Sequence, residues 1–86
     1  MDKEVYGYED SHYISICLDQ KKCIIRVFYV NIIENYYDIF NGCSARELST
    51  QILLKYNFNR FHAIYLGREL MKAEIALALN QIYIQS

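Results

Sequence analysis

Residues 61–79, FHAIYLGRELMKAEIALAL, form the longest stretch of this chain without a strong breaker, and the rest must be arranged around it. Gly67 is its only glycine, and Leu, Ala, Met, Lys and Glu, the strongest helix formers, supply most of the remainder. The stretch therefore predicts a helix. At ~100° per residue, Leu66, Leu70, Ala73 and Leu77 gather on one side, and Ile64, Met71, Ile75, Ala78 and Leu79 on nearly the opposite side. Two apolar sides predict a helix clamped between a sheet and a second helix. Its charges, Arg68, Glu69, Lys72 and Glu74, would leave along the seams between.

A chain of 86 residues has room for one domain and one core. An apolar fraction of 53% with nine tyrosines exceeds what a disordered chain carries. The acidic, tyrosine-rich residues 1–11 read as a loosely held lead-in. They contain neither an apolar signal core nor a transit-peptide composition. No window reaches the ~18 apolar residues of a membrane span, so the expectation is a soluble protein working in the compartment where it is made. A net charge of -1 with scattered basic residues argues against a nucleic-acid module. The one basic cluster, Lys21, Lys22 and Arg26, reads as a solvated turn. Cys17, Cys23 and Cys43 are odd in number and lack C-x-x-C spacing. They read as small buried hydrophobes in a reducing compartment. Heavy use of Ile, Asn, Tyr and Lys points to an AT-biased genome such as that of an organelle.

From Tyr13, YISICL alternates with Ile14, Ile16 and Leu18 on one face, the period-two signature of a strand. Residues 19–22 supply a turn, and 23–30 (CIIRVFYV) a second strand. Pairing Leu18 with Cys23 across a tight loop would put Cys23, Ile25, Val27 and Tyr29 on the face of Ile14, Ile16 and Leu18. Residues 31–35 read as a turn and 36–40 as a third strand, with Asn41-Gly42 as a stop that tolerates positive φ. Ser44-Ala45-Arg46-Glu47 is a capping box. The helix it opens carries Ala45, Leu48, Ile52 and Tyr56 as a stripe, widened by Leu53 and Leu54. Asn59 reads as the N-cap of the long helix, and Asn80 as a left-handed residue past its end. Ile82-Tyr83-Ile84 reads as a last edge strand. The expected fold is α+β, a small, mainly antiparallel sheet packed by two helices in the order βββααβ.

The segment His62-Ala-Ile-Tyr-Leu-Gly-Arg-Glu-Leu70, followed by Lys72-Ala-Glu74, Ala76-Leu77 and Tyr83-Ile-Gln85, resembles a known pattern. It is similar to the uncharacterised domain that follows a dihydropteroate-synthase-like, pterin-binding domain in some cyanobacterial and archaeal proteins, and that algal plastid genomes also encode as a short free-standing protein. That pattern reads approximately H-A-A-Y-L-G-R-E-L-x-K-A-E-x-A-L, a short gap, then P-Y-V-Q-D. Here Asn80-Gln81-Ile82 replaces its Gly-x-Pro, and Ser86 its closing Asp. The resemblance implies a plastid setting, the chloroplast stroma if the source is an alga and the cytoplasm otherwise. A remoter similarity, to the corrinoid-carrying component of tetrahydromethanopterin S-methyltransferase, implies one-carbon chemistry by analogy of fold alone.

His62 and Glu69, seven apart on one side of the helix beside Ala73 and Ala76, admit two readings. They are either a polar pocket in which His62 is a titratable ligand oriented by Glu69, or structural groups satisfied by neighbouring backbone and charges. Arg68 either pairs with Asp38 or an N-terminal carboxylate, or binds a ligand. Lys72 is placed to pair with Glu69 at i, i+3. Gly67 in mid-helix marks close approach of another backbone. Asp10, Ser11 and His12 are adjacent in sequence but form no triad. No phosphate loop, metal-ligand motif, nucleophile elbow or dinucleotide fingerprint is present. The expectation is therefore a non-catalytic binding or interaction module without a cofactor, acting through a protein partner or a second copy. The patch would lie around Tyr6, Tyr8 and Tyr37. The alternative is an accessory domain of a pterin- or corrinoid-linked one-carbon enzyme, with His62, Arg68, Glu69 and Lys72 as the ligand set.

Overall fold

A computed structural model describes residues 12–86. Strands β1 (His12–Asp19), β2 (Ile24–Asn31) and β3 (Tyr36–Gly42) are followed by helices α1 (Ala45–Lys55) and α2 (Arg60–Ala78). The strands form one antiparallel sheet in the order β1-β2-β3. The chain is α+β, but the order of its described elements is βββαα, because the expected strand at Ile82-Tyr83-Ile84 is absent.

Two hairpins of the same design build the sheet. Asp19 pairs with Ile24 and Asn31 with Tyr36. In each loop the side chain of the residue before the turn accepts a backbone N–H three positions on: Asp19 Oδ1 from Lys22 at 3.2 Å and Asn31 Oδ1 from Glu34 at 3.0 Å. The last loop residue is left-handed, Cys23 at φ 56 and Asn35 at φ 55. Asp and Asn favour such turns because a short side-chain acceptor replaces a backbone one. This longer loop moves the register from that expected. Leu18 faces Ile25 rather than Cys23, a shift of two residues that keeps Ile25, Val27 and Tyr29 inward as read but leaves Cys23 in the loop, off that face.

The inward face consists of Ile14 and Ile16, then Ile25, Val27 and Tyr29, then Phe40 and Gly42, all buried. Both helices lie side by side against it, α2 over β1 and β2, α1 along β3 and α2. Leu48 and Ile52 of α1 and Leu66, Leu70 and Ala73 of α2 complete the core, each at 0% exposure. Leu53 and Leu54 do not widen the α1 stripe; they face solvent.

The clamped helix expected of residues 61–79 is corrected in the same way. Ile64, Met71 and Ile75 are 57%, 51% and 50% exposed. The two helices share one layer, so among the described residues nothing lies above α2. The three cysteines are likewise exposed rather than buried. Cys17 alternates outward between Ile16 and Leu18, Cys23 occupies a loop, and Cys43 links β3 to α1.

Gly42 is buried at the end of β3, not at a left-handed stop. A Cβ there would meet Leu48 Cγ and Glu47 Oε1, each at 3.0 Å, so the close approach of α1 leaves a larger residue little room. Gly67 is the reverse case: a Cβ would meet nothing within 4 Å. No backbone of the described residues approaches it.

Candidate functional site

The polar group on α2 begins from its caps. Asn59 Oδ1 accepts the His62 N–H at 2.9 Å, as an N-cap does. At the other end Asn80 is left-handed at φ 55, with Asn80 N–H donating to Leu77 and Gln81 N–H to Ala76. This Schellman turn reverses the chain so that residues 81–86 run back along the outer edge of β1.

The tail meets β1 through a side chain where a strand would use its backbone. Ile16 N–H donates to Gln85 Oε1 at 2.9 Å, and Gln85 Nε2 donates to the Ile14 carbonyl at 3.2 Å and to the Tyr65 hydroxyl at 3.1 Å. One carboxamide thus satisfies a donor and an acceptor of an otherwise open strand edge. Gln20 Nε2 donates to the Gln81 carbonyl at 3.1 Å, and Tyr65 donates to the Ser86 carbonyl at 2.7 Å, tying both ends of the tail.

Glu69 stands under this tail with 0% exposure. Its carboxylate accepts from Tyr83 Oη at 2.8 Å, Ser86 N–H at 3.3 Å and Lys72 Nζ at 3.2 Å. Burial pushes the Glu69 pKa up, but the Tyr83 hydroxyl, the Ser86 amide and Lys72 together outweigh it and hold the carboxyl below its ordinary value. Lys72 also donates to Ser86 Oγ at 2.7 Å.

Of the four residues singled out in the sequence, Glu69 and Lys72 meet directly, as the i, i+3 spacing implied. Arg68 does not pair with Asp38, and the N-terminal carboxylates offered as its other partner lie outside the described residues. Arg68 lies 3.8 Å from Glu69 and over the Tyr65 ring at 5.6 Å, with 62% of its side chain exposed. His62 is half-buried near the helix N-terminus. Tyr83, Gln85, Ser86 and Tyr65 complete the Glu69 cluster and were not anticipated as its partners. Their signal was the matched pattern itself, which holds Tyr65 and Tyr83-Ile-Gln85, the latter read from its residues as part of a strand. Among the described residues no three His, Cys, Asp or Glu side chains gather to hold a metal ion. No helix there is long and apolar enough to cross a membrane.

A second cluster fastens α1 to β3. Asp38 accepts from Lys55 and, at 2.9 Å, from Tyr56 Oη, which also hydrogen-bonds Tyr36 Oη. Tyr56 stacks on Tyr29 at 3.8 Å between centroids. Lys55 lowers the Asp38 pKa and Asp38 raises that of Lys55. Burial, then the hydrogen bonds to Tyr36 and Asp38, push the Tyr56 phenol far above its ordinary value.

Of the apolar patch expected around Tyr6, Tyr8 and Tyr37, the described residues hold Tyr37 alone. Tyr6 and Tyr8 lie outside the described residues, as do Asp10 and Ser11. Tyr37 is 61% exposed on the outer sheet face, tilted against Phe28 at 6.4 Å. A longer exposed row, interrupted by Arg68, lies on α2: Phe61, Ile64, Met71, Ile75 and Leu79, each at least half exposed. Lys21 and Lys22 are exposed in the first hairpin loop, whereas Arg26 bonds Asn41 Oδ1 at 3.0 Å across the sheet.

A family model described as PterinBD-DUF4346 matches residues 9–86. "Uncharacterized protein ycf91" of Pyropia yezoensis is 44% identical over 81 residues, covering 87% of this chain and 69% of that protein. No solved structure matches the chain.

Proposed function

The chain belongs to the PterinBD-DUF4346 family, and we propose that within it this chain is a non-catalytic interaction module of the plastid or cyanobacterial type, acting through a protein partner. The observation that carries the reading is the outward face of α2. Five large apolar side chains stand open there in one row, and rows of that kind mark association surfaces. The polar residues beside it are already engaged, since Glu69 has 0% exposure and spends its acceptors on Tyr83, Ser86 and Lys72. A plastid location follows from the resemblance and belongs to the same proposal.

The test is the native assembly. A tagged chain expressed in its own compartment should elute from a sizing column with a partner, and Ile64→Glu with Ile75→Glu should elute alone while melting at an unchanged temperature. A wild type that elutes alone, or variants that change nothing, overturns the reading. The alternative, an accessory domain for pterin or corrinoid chemistry, uses His62, Arg68, Glu69 and Lys72 as ligands. Titration with folate or cobalamin that shows binding lost in His62→Ala would replace the interaction reading with that one.

A further inference from the structure

We infer that the outward face of α2 is the seat of an acidic amphipathic helix from a partner protein. This rests on the interaction reading above and adds the chemistry of the partner. Three features of the face carry it.

The first is width. Phe61, Ile64, Arg68, Met71 and Ile75 follow one another at alternating steps of three and four, ending at exposed Ala78 and Leu79. That spacing is the seam of a paired helix, one helix wide. Gly67 and Ala78 flank it, and the space beside Gly67 is open within 4 Å, so a second backbone can come close. A lipid surface calls for a broad apolar face on a helix lying in its plane, which this narrow row is not.

The second is sign. Both acids of α2 turn inward: Glu69 is sealed under the tail, and Glu74 Oε1 accepts the Ala45 N–H at 2.7 Å at the start of α1. The charges along the row are Arg60, Arg68 and Lys72, all basic and all exposed. Arg68 and Lys72 share the single carboxylate of Glu69, so the face keeps an excess of positive charge, with Arg60 in no ion pair among the described residues. A two-fold pairing of this face with a second copy sets each patch against itself, bringing Arg68 and Lys72 toward their own images. A helix with an apolar row flanked by Asp or Glu meets the net positive charge of the same face with attraction.

The third is Arg60 itself. It sits in the first turn, where the positive end of the helix dipole disfavours a cation, and no acidic side chain occupies that turn. Among the described residues the arginine has no stabilising role that the helix explains. Facing a partner's carboxylates it has one.

The test uses the full chain and two synthetic helical peptides with an identical leucine heptad row, one flanked by Glu and the other by Lys, with phosphatidylglycerol vesicles as a third probe. The glutamate peptide should bind and the lysine peptide should not, with affinity falling as salt rises. Ile75→Glu should weaken binding by roughly tenfold or more. Arg60→Glu with Arg68→Glu should reverse the preference toward the lysine peptide. Arg60→Glu alone, which leaves the surroundings of Glu69 untouched, should weaken the glutamate peptide while the melting temperature holds or rises. Equal binding of the two peptides, binding of neither, self-association abolished by Ile75→Glu, or preference for the vesicles each overturns the inference. If the α2 variants still dissolve the native assembly while the peptides are not discriminated, the acidic-helix inference falls and the interaction reading stands.

Discussion

Tyr83, on the returning tail, donates its hydroxyl to Glu69 Oε1 at 2.8 Å, joining the end of the chain to a carboxylate with no exposed surface. That carboxylate is held below its ordinary pKa of 4.5, so it is ionised in the fold. A depressed folded pKa contributes stability that is present above the unfolded value and lost as pH falls through the folded one. Tail docking should therefore weaken below pH 4.5, read as faster amide exchange at Ser86 and Ile16 and a lower denaturation midpoint. Glu69→Gln should cost about 1–3 kcal/mol at neutral pH and flatten part of that acid limb. An unchanged limb would show that Glu69 does not titrate in this range.

Gln85→Ala removes the carboxamide that joins Ile14 and Ile16. It also removes the bond to the Tyr65 hydroxyl, so the expected cost is about 1–3 kcal/mol, three hydrogen bonds of ordinary net worth. The open β1 edge should also make the variant aggregate more readily. Hydrogen exchange should localise the change to the Ile16 amide, with β2 and β3 amides unaffected.

The two helix-proximal glycines should respond oppositely to alanine. Gly42→Ala pushes a methyl to 3.0 Å from Leu48 and Glu47, and overpacking of that kind costs about 1–3 kcal/mol. Gly67→Ala meets open space and should stabilise the free chain by up to ~1 kcal/mol through helix propensity. Urea denaturation of both variants checks the pair. A destabilising Gly67→Ala would mean that another part of the chain approaches that point.

Tyr56 should be among the last tyrosines to ionise, since burial and its bonds to Tyr36 and Asp38 push its pKa well above the ordinary 10.0. A raised folded pKa contributes stability that is complete below pH 10.0 and lost as pH rises through the folded value. Ultraviolet titration of the wild type against Tyr56→Phe reads this directly. Tyr56→Phe, which leaves Asp38 with Lys55 and the Ile39 N–H, should cost about 1–2 kcal/mol at neutral pH.

Local chemistry was legible in the sequence wherever the residues that decide it are neighbours. The capping box is one case: Ser44 Oγ accepts the Glu47 N–H at 3.1 Å, although Glu47 reaches back to the Cys43 amide rather than that of Ser44. The Asn59 cap, the left-handed Asn80 and the inward faces of β1 and β2 are others. Each depends on periodicity or on a side chain bonding within three or four positions. The Glu69–Lys72 pair was legible for the same reason, whereas the site around it was not. Which groups gather over Glu69 depends on where the chain returns after Asn80, some 14–17 residues further on.

What the amino acids alone determined, then, is the identity of the elements and which side of each can be buried, because hydrophobic spacing and hydrogen-bonding turns act over a few residues. How much of that apolar surface actually finds cover was decided only by assembly. Two helices that share one layer bury one flank of α2 and leave Phe61, Ile64, Met71 and Ile75 outside. The tail, free to add its backbone to β1, instead engages it through Gln85, because Ser86 and Tyr83 are drawn to Glu69. Competing apolar sides look equal in a sequence, and only the number of layers available separates them.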